Sequence, residues 1–140
     1  MTSFVGILLM AGIYLHIPFC KKACHYCNFH FSTQTEHIQS FVAAIIQEIR
    51  LQKGYLDQPI ETIYFGGGTP SLLNADQLKS IIDALYKHFE IASTIECTLE
   101  ANPDDIDAKK LNEWKQVGIN RLSIGIQSFQ AEALSWMNRA

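Results

Sequence analysis

From Gly12 onward, short apolar runs alternate with longer segments in which apolar residues return every three or four positions. Neither kind of segment is stable alone: a short run of β-formers must pair with another strand, and a helix with one apolar face must bury that face. When the two kinds succeed one another in turn, each strand reaches the next through a helix, and such crossovers join parallel strands. The sequence therefore predicts an α/β fold of parallel βα repeats.

The first strand is placed at Ile13 to Ile17, and the stretch from Thr35 to Lys53 predicts a helix with Ile38, Phe41, Val42, Ile45, Ile46 and Ile49 on one face. A second strand is expected from Thr62 to Phe65. Asn74, followed three positions later by Gln77, has the spacing of a capping box and opens a helix carrying Leu78, Ile81, Ile82, Leu85 and Phe89. A third strand runs from Thr94 to Leu99 and stops ahead of Pro103. Asp107 caps a helix with Leu111, Trp114 and Val117, which Gly118 closes in the left-handed conformation. Strand four is Arg121 to Ile126, and a fourth helical segment carries Phe129, Ala133, Leu134 and Met137.

So few βα units do not close a barrel of about eight strands, so the chain reads as the N-terminal part of a longer protein. An open doubly wound sheet is the alternative. Residues 11–140 form the core on this reading, and residues 1–10 form an N-terminal extension. That extension is mostly apolar but lacks the basic start and small-residue cleavage site of a secretory signal, and Met10 reads as the natural start. No stretch is long and apolar enough to span a bilayer. The net charge of −3 and the absence of lysine or arginine runs leave no electrostatic footprint for nucleic acid or an anionic membrane. The expected partner is small, and the expected setting is cytoplasmic with reduced thiols.

Ligands of parallel sheets sit at the carboxyl ends of the strands, so the loops after each strand carry the chemistry. Behind the first strand come Cys20, Cys24 and Cys27, spaced C-x3-C-x2-C. Three thiolates hold three irons of a four-iron cluster and leave the fourth free to bind a small molecule. Structural zinc is the rival, with His16, His25 or His30 as a fourth ligand. Zinc pairs usually fall as C-x2-C with a distant second pair, so the spacing favours iron–sulfur and leaves zinc open. A hydrogen-bonded role in packed structure is the commoner one for such histidines, and His37 and His88 read as helix-surface residues. Cys97 lies far downstream in a strand-like context, and so few cysteines do not make a disulfide framework.

Behind the second strand, Gly66, Gly67 and Gly68 precede Thr69 and Pro70. Successive glycines either let backbone groups approach a ligand closely or form a tight turn with positive φ. No Gly-Lys-Ser/Thr and no G-x-G-x-x-G accompanies them, which disfavours a nucleotide phosphate site. Glu100 and Gln127, at the ends of the third and fourth strands, offer acceptors and donors suited to an ammonium or to ribose hydroxyls. Arg139 offers a fork for a carboxylate.

Five ordered motifs, Tyr14-Leu-His-Ile-Pro-Phe-Cys20, Cys24-His-Tyr-Cys27, Gly66-Gly-Gly-Thr-Pro70, Leu99-Glu-Ala-Asn-Pro103 and Arg121-Leu-Ser-Ile-Gly-Ile-Gln-Ser-Phe129, resemble the radical S-adenosylmethionine (SAM) superfamily. Within it, the resemblance is to the branch of oxygen-independent coproporphyrinogen III oxidases and HemW heme chaperones, and it runs from Ala11 to Arg139. It implies a TIM-like (β/α) radical SAM barrel, incomplete in this chain, and a 4Fe–4S cluster on Cys20, Cys24 and Cys27. The open iron would chelate the amino and carboxylate groups of SAM. Carried over position by position, the cofactor contacts fall on Tyr14, Tyr26, Gly67, Gly68, Thr69, Glu100, Gln127 and Arg139. No residue is singled out as catalytic.

The oxidases continue past the cluster motif as Cys-x-Cys, whereas this chain has Cys27-Asn28-Phe29. A phenyl ring neither ligates nor reacts as a thiol does. That position, and a start near Met10, resemble the heme chaperones. The resemblance thus implies heme bound as cargo and passed to a recipient hemoprotein, with a flavodoxin or ferredoxin as electron donor. The alternative it leaves is oxidative decarboxylation of coproporphyrinogen III in porphyrin biosynthesis.

Overall fold

The computed structural model describes residues 11–28 and 30–139. The expected extension at residues 1–10 lies outside the described residues, as do Phe29 and Ala140. Four strands form one sheet in chain order: β1 (Ala11–Ile17), β2 (Ile60–Gly67), β3 (Ile91–Ala101) and β4 (Arg121–Ile124). Every neighbouring pair is parallel. The crossovers carry α1 (Ile38–Leu51), α2 (Ala75–His88) and α3 (Ala108–Gln116), and a short α4 (Ala131–Trp136) follows β4.

The strand register separates the sheet into two unlike faces. On one face Ile13 stands beside Ile63, Leu15 beside Phe65, and Phe65 beside Leu99. These residues form the core with Val42 and Ile49 of α1, Leu78, Ile81 and Leu85 of α2, and Trp114 of α3. On the other face Tyr14 stands beside Tyr64, Thr62 beside Glu96, Thr98 beside Arg121, and Glu100 beside Ser123. A doubly wound sheet covers both faces with helices and reverses its strand order, so both of its faces are apolar. Sequential order with one polar face is instead the pattern of an incomplete barrel whose second face lines the lumen.

Local chemistry fixes the helix ends. Asn74 Oδ1 accepts from the Gln77 amide at 2.9 Å, and Gln77 Oε1 accepts from the Asn74 amide at 3.0 Å. This reciprocal pair satisfies two donors that the first turn of α2 otherwise leaves open. Asp107 Oδ1 accepts from the Lys110 amide at 2.7 Å to open α3, and Gly118 closes α3 at φ 103°.

The structure moves several expected boundaries. β3 continues through Ala101, so Glu100 lies within the strand and not behind it, held by its pairing with β4. β4 stops at Ile124, two residues before its expected end, because the chain coils: the Ser128 amide donates to Ile126 O at 2.8 Å, and Gln127 adopts φ 66°. The helix expected from Thr35 to Lys53 begins as a 3-10 turn and ends at Leu51. Phe129 precedes α4 and is 92% exposed, and Leu111 faces solvent, so neither joins the core.

Leu99 is fully buried in β3. Leu99→Ala will lower stability by about 2–5 kcal/mol through lost burial and the cavity left behind. Leu111→Ala, on the exposed side of α3, will change it by less than about 0.5 kcal/mol. Urea unfolding of the two variants beside the parent chain checks both values.

Candidate functional site

Parallel pairing places the ends of all four strands on one rim, where the segments that follow them meet. Behind β1, Phe19 is buried and packs edge-on against Phe41 of α1, with ring centroids 5.2 Å apart, rooting the cysteine loop in the core. The loop closes on itself where the Cys20 amide donates to Ser32 O at 2.9 Å and the Ser32 amide donates to Pro18 O at 2.7 Å. Its far side is fastened to the end of α4. The His25 amide donates to Met137 O at 3.2 Å, Asn138 Nδ2 donates to Ala23 O at 2.8 Å, and His25 Nδ1 donates to Trp136 O at 2.7 Å. A carbonyl only accepts, so the proton of the His25 ring sits on Nδ1 and that nitrogen is committed to the backbone.

The glycine turn lies against this loop. The Gly68 amide donates to Ile17 O and the Thr69 amide to Phe19 O, each at 2.7 Å. Only Gly67 of the three glycines has a positive φ, at 111°. The other two provide clearance: a Cβ on Gly68 would lie 2.5 Å from Phe19 O and 2.9 Å from Cys20 Sγ, and one on Gly66 would lie 2.8 Å from the rings of Tyr14 and Tyr64. Turn and close approach, posed as alternatives for this motif, are both present.

Cys20, Cys24, Cys27, Tyr26, Gly67, Gly68, Thr69, Glu100, Gln127 and Arg139 line one cavity of about 300 Å³. Ten of the eleven residues expected at the site thus come together. Tyr14 stands outside that lining and is 58% exposed. It stacks on Tyr64 at 5.8 Å, and Tyr64 in turn donates its hydroxyl to Glu100 Oε1 at 2.7 Å. The second oxygen of Glu100 accepts from the Gly67 amide at 3.0 Å. Arg139 Nη2 donates to Asn102 Oδ1 at 2.6 Å and to Gly125 O at 2.7 Å, while Nη1 donates to the Tyr26 hydroxyl at 3.2 Å.

Tyr64 and Asn102 are the residues that sequence reasoning passed over. Tyr64 lies two positions from Thr62 on the polar side of β2, and Asn102 lies within the Leu99-Glu-Ala-Asn-Pro103 stretch. Both hold a group that faces the cavity.

All the cysteines of the chain are free thiols. Burial pushes the Cys20 and Cys27 thiols above the ordinary cysteine range, while the Arg139 charge pulls both the other way. Burial alone pushes Cys97 up to about 11. Metal ligation must therefore displace protons from Cys20 and Cys27. Among the described residues no group of three His, Cys, Asp or Glu side chains stands gathered to grip a single ion. A cubane binds each thiolate at a different iron, so its ligands need not converge on one point. Three free thiols around one cavity, with a glycine where a side chain would press on Cys20 Sγ, fit such a group.

Residues 14–140 match the Radical SAM superfamily. The chain belongs to that family. Over 133 residues it is 39% identical to the heme chaperone HemW of Bacillus subtilis, a match covering 93% of this chain and 35% of that protein. Over 134 residues it is 32% identical to HemW of Escherichia coli, covering 91% and 35%. It superposes on coproporphyrinogen III oxidase (HemN) from Escherichia coli, described as a Radical SAM enzyme, with a TM-score of 0.85 and 30% identity over 94% of this chain and 31% of that one. The chain spans about a third of the length of these relatives. Among the described residues no helix is long and apolar enough to cross a membrane.

Iodoacetamide reacts with thiolates, so a buried thiol with a raised pKa is protected. In the native metal-free protein at pH 8, Cys24 and Cys27, which are partly exposed, will be alkylated, and the buried Cys97 will stay unmodified until urea is added. Peptide mass spectrometry reads this directly, and rapid labelling of Cys97 in the folded chain would contradict the packing of β3.

Proposed function

We propose that residues 11–140 are the N-terminal part of the core domain of a HemW-like heme chaperone. On this reading Cys20, Cys24 and Cys27 hold a 4Fe–4S cluster, the facing rim holds SAM, and the whole protein binds heme and passes it to a recipient hemoprotein. The observation that carries the proposal is the single cavity bounded by the three thiols on one side and by Gly67, Glu100, Gln127 and Arg139 on the other. The identity to HemW proteins from two organisms supports the chaperone part.

When bound, the cluster supplies one-electron chemistry to the sulfonium of SAM, with a flavodoxin or ferredoxin as the electron source and the cytoplasm as the reducing setting. The chain's own residues hold and orient. Glu100 has spent one lone pair of each oxygen on Tyr64 and Gly67 and retains acceptors for an ammonium. Gly67 and Gly68 keep the wall free of side chains, so backbone groups meet the cofactor. Arg139 keeps Tyr26 and Asn102 at fixed positions around the opening, and its charge would be available to the carboxylate of SAM.

The second reading is a coproporphyrinogen III oxidase, which the likeness to HemN supports. Against it stands Phe29, a residue outside the described structure, where the oxidases carry a cysteine. Incubating the reduced, cluster-loaded, full-length protein with coproporphyrinogen III separates the two. Retention of heme without turnover is the expected result, and vinyl group formation would defeat the chaperone reading.

The cofactor set has its own test. After anaerobic reconstitution, SAM will change the electron paramagnetic resonance (EPR) spectrum of the reduced cluster, because it binds the iron that lacks a protein ligand. Cys20→Ala, Cys24→Ala and Cys27→Ala will each abolish cluster assembly while leaving the far-ultraviolet circular dichroism of the metal-free chain unchanged. A spectrum indifferent to SAM, or assembly that survives loss of any one cysteine, would overturn the assignment.

A further inference from the structure

One carboxylate beneath the rim is almost wholly buried and belongs to none of the groups already assigned. The Asp105 side chain is 1% exposed. Its Oδ2 accepts from Ser71 Oγ at 2.6 Å, and its Oδ1 accepts from Lys21 Nζ. Lys21 Nζ also donates to Asp104 Oδ2 at 3.1 Å, and Lys110 Nζ stands farther off, 3.9 Å from Asp105 Oδ1.

The three principal members come from three different rim segments. Lys21 directly follows Cys20 in the cysteine loop. Ser71 follows the glycine turn that ends in Thr69 and Pro70. Asp105 follows the stretch from Glu100 to Asn102, and its amide is tied back to Asn102 O at 3.0 Å. Each segment contributes a wall of the cavity, so a single buried anion sets where the walls stand relative to one another. A buried carboxylate must keep its partners, because leaving it without a cation is far costlier than leaving an exposed one. That requirement gives the contact its grip on the otherwise solvent-facing first turn of the cysteine loop.

We propose that Lys21, Asp105 and Ser71 form a latch that holds the cysteine loop at the distance from the glycine turn and from Glu100 that SAM must span. Lys21 is a positioning residue on this account: its ammonium is occupied by the two aspartates, and it acts on the cofactor through the loop it anchors. The latch rests on the cluster and SAM reading above.

The test uses reconstituted protein and two readouts, the affinity for SAM from titration of the EPR change and the stability of the metal-free chain from its urea midpoint. Residues that orient ligands from behind typically change affinity by about 10–100-fold when lost. Lys21→Met is expected to retain the parent's iron and sulfide content and to bind SAM at least about tenfold more weakly. Lys21→Arg, which keeps the cation, is expected to remain within about threefold of the parent.

The double variant Lys21→Met with Asp105→Asn removes both charges of the buried pair, so no buried anion is left unpaired and only the exposed Asp104 loses its cation. The latch predicts that its urea midpoint recovers toward that of the parent while its affinity stays weak. Affinity that recovers together with stability would show a purely structural ion pair and overturn the latch. So would parent-like SAM affinity in Lys21→Met. If Lys21→Met fails to load iron, the double variant decides: weak SAM affinity or continued failure to load iron at a recovered urea midpoint supports the latch, and parent-like SAM affinity overturns it. Parent protein whose spectrum ignores SAM counts against the cofactor reading itself, which keeps the two failures distinct.

Discussion

Parallel pairing in chain order is the constraint from which the site follows. Each strand enters the sheet from the same end, so each leaves at the same rim, and the four segments behind β1, β2, β3 and β4 have no alternative but to meet there. Residues far apart in the chain are thereby fixed by backbone hydrogen bonds that owe nothing to a ligand. The Gly68 amide reaches Ile17 O and the Gly125 amide reaches Ala101 O, and the Gly67 amide adds a bond to the Glu100 side chain. The ladder extends past the ends of the strands into the site, and the cavity wall inherits its rigidity from the sheet.

Rigidity on one side of the cavity is matched by dependence on the other. The described residues of the cysteine loop are largely exposed and include no helix and no strand of the sheet. The loop is held at its root by Phe19 against Phe41, at its first turn by Lys21 on Asp105, and at its far side by Met137, Trp136 and Asn138 at the end of α4. Loops without buried apolar contacts open locally at little free-energy cost, so these few polar ties decide how the thiols are presented. On the proposed reading, a site that admits a cluster and then holds it gains from such an arrangement: the wall is preorganised while the cysteine-bearing segment is tethered at points.

The fold was largely legible because it rests on periodicity and capping, which are local. The apolar faces of α1 and α2, the Asn74–Gln77 box and the Asp107 cap depend on residues within a few positions of one another, and the structure bears them out. Strand ends were less legible, since they depend on partners. Glu100 belongs to β3 because Ser123 stands beside it, and nothing near Glu100 in the sequence states that. Of the site, the motif residues were legible as motifs, but their supports were not. Tyr64 and Asp105 act on residues 36 and 34 positions away, respectively, through single hydrogen bonds. Such pairings leave no periodic trace.

The polar face of the sheet argues further about what the complete barrel encloses. In a barrel filled by its own side chains, the inward positions are layers of branched apolar residues. Here the corresponding positions are Tyr14, Thr62, Tyr64, Glu96, Glu100, Arg121 and Ser123, with Glu96 and Arg121 paired at 3.0 Å. A polar, aromatic wall of this kind would be an unstable core, because each buried polar group would need a partner that neighbouring strands would have to supply. It is a suitable lining for a wetted space next to the rim. The residues that make this chain a poor half of a packed barrel are therefore the same ones that suit it to a ligand-bearing lumen, with Glu100 standing where lumen and rim cavity join.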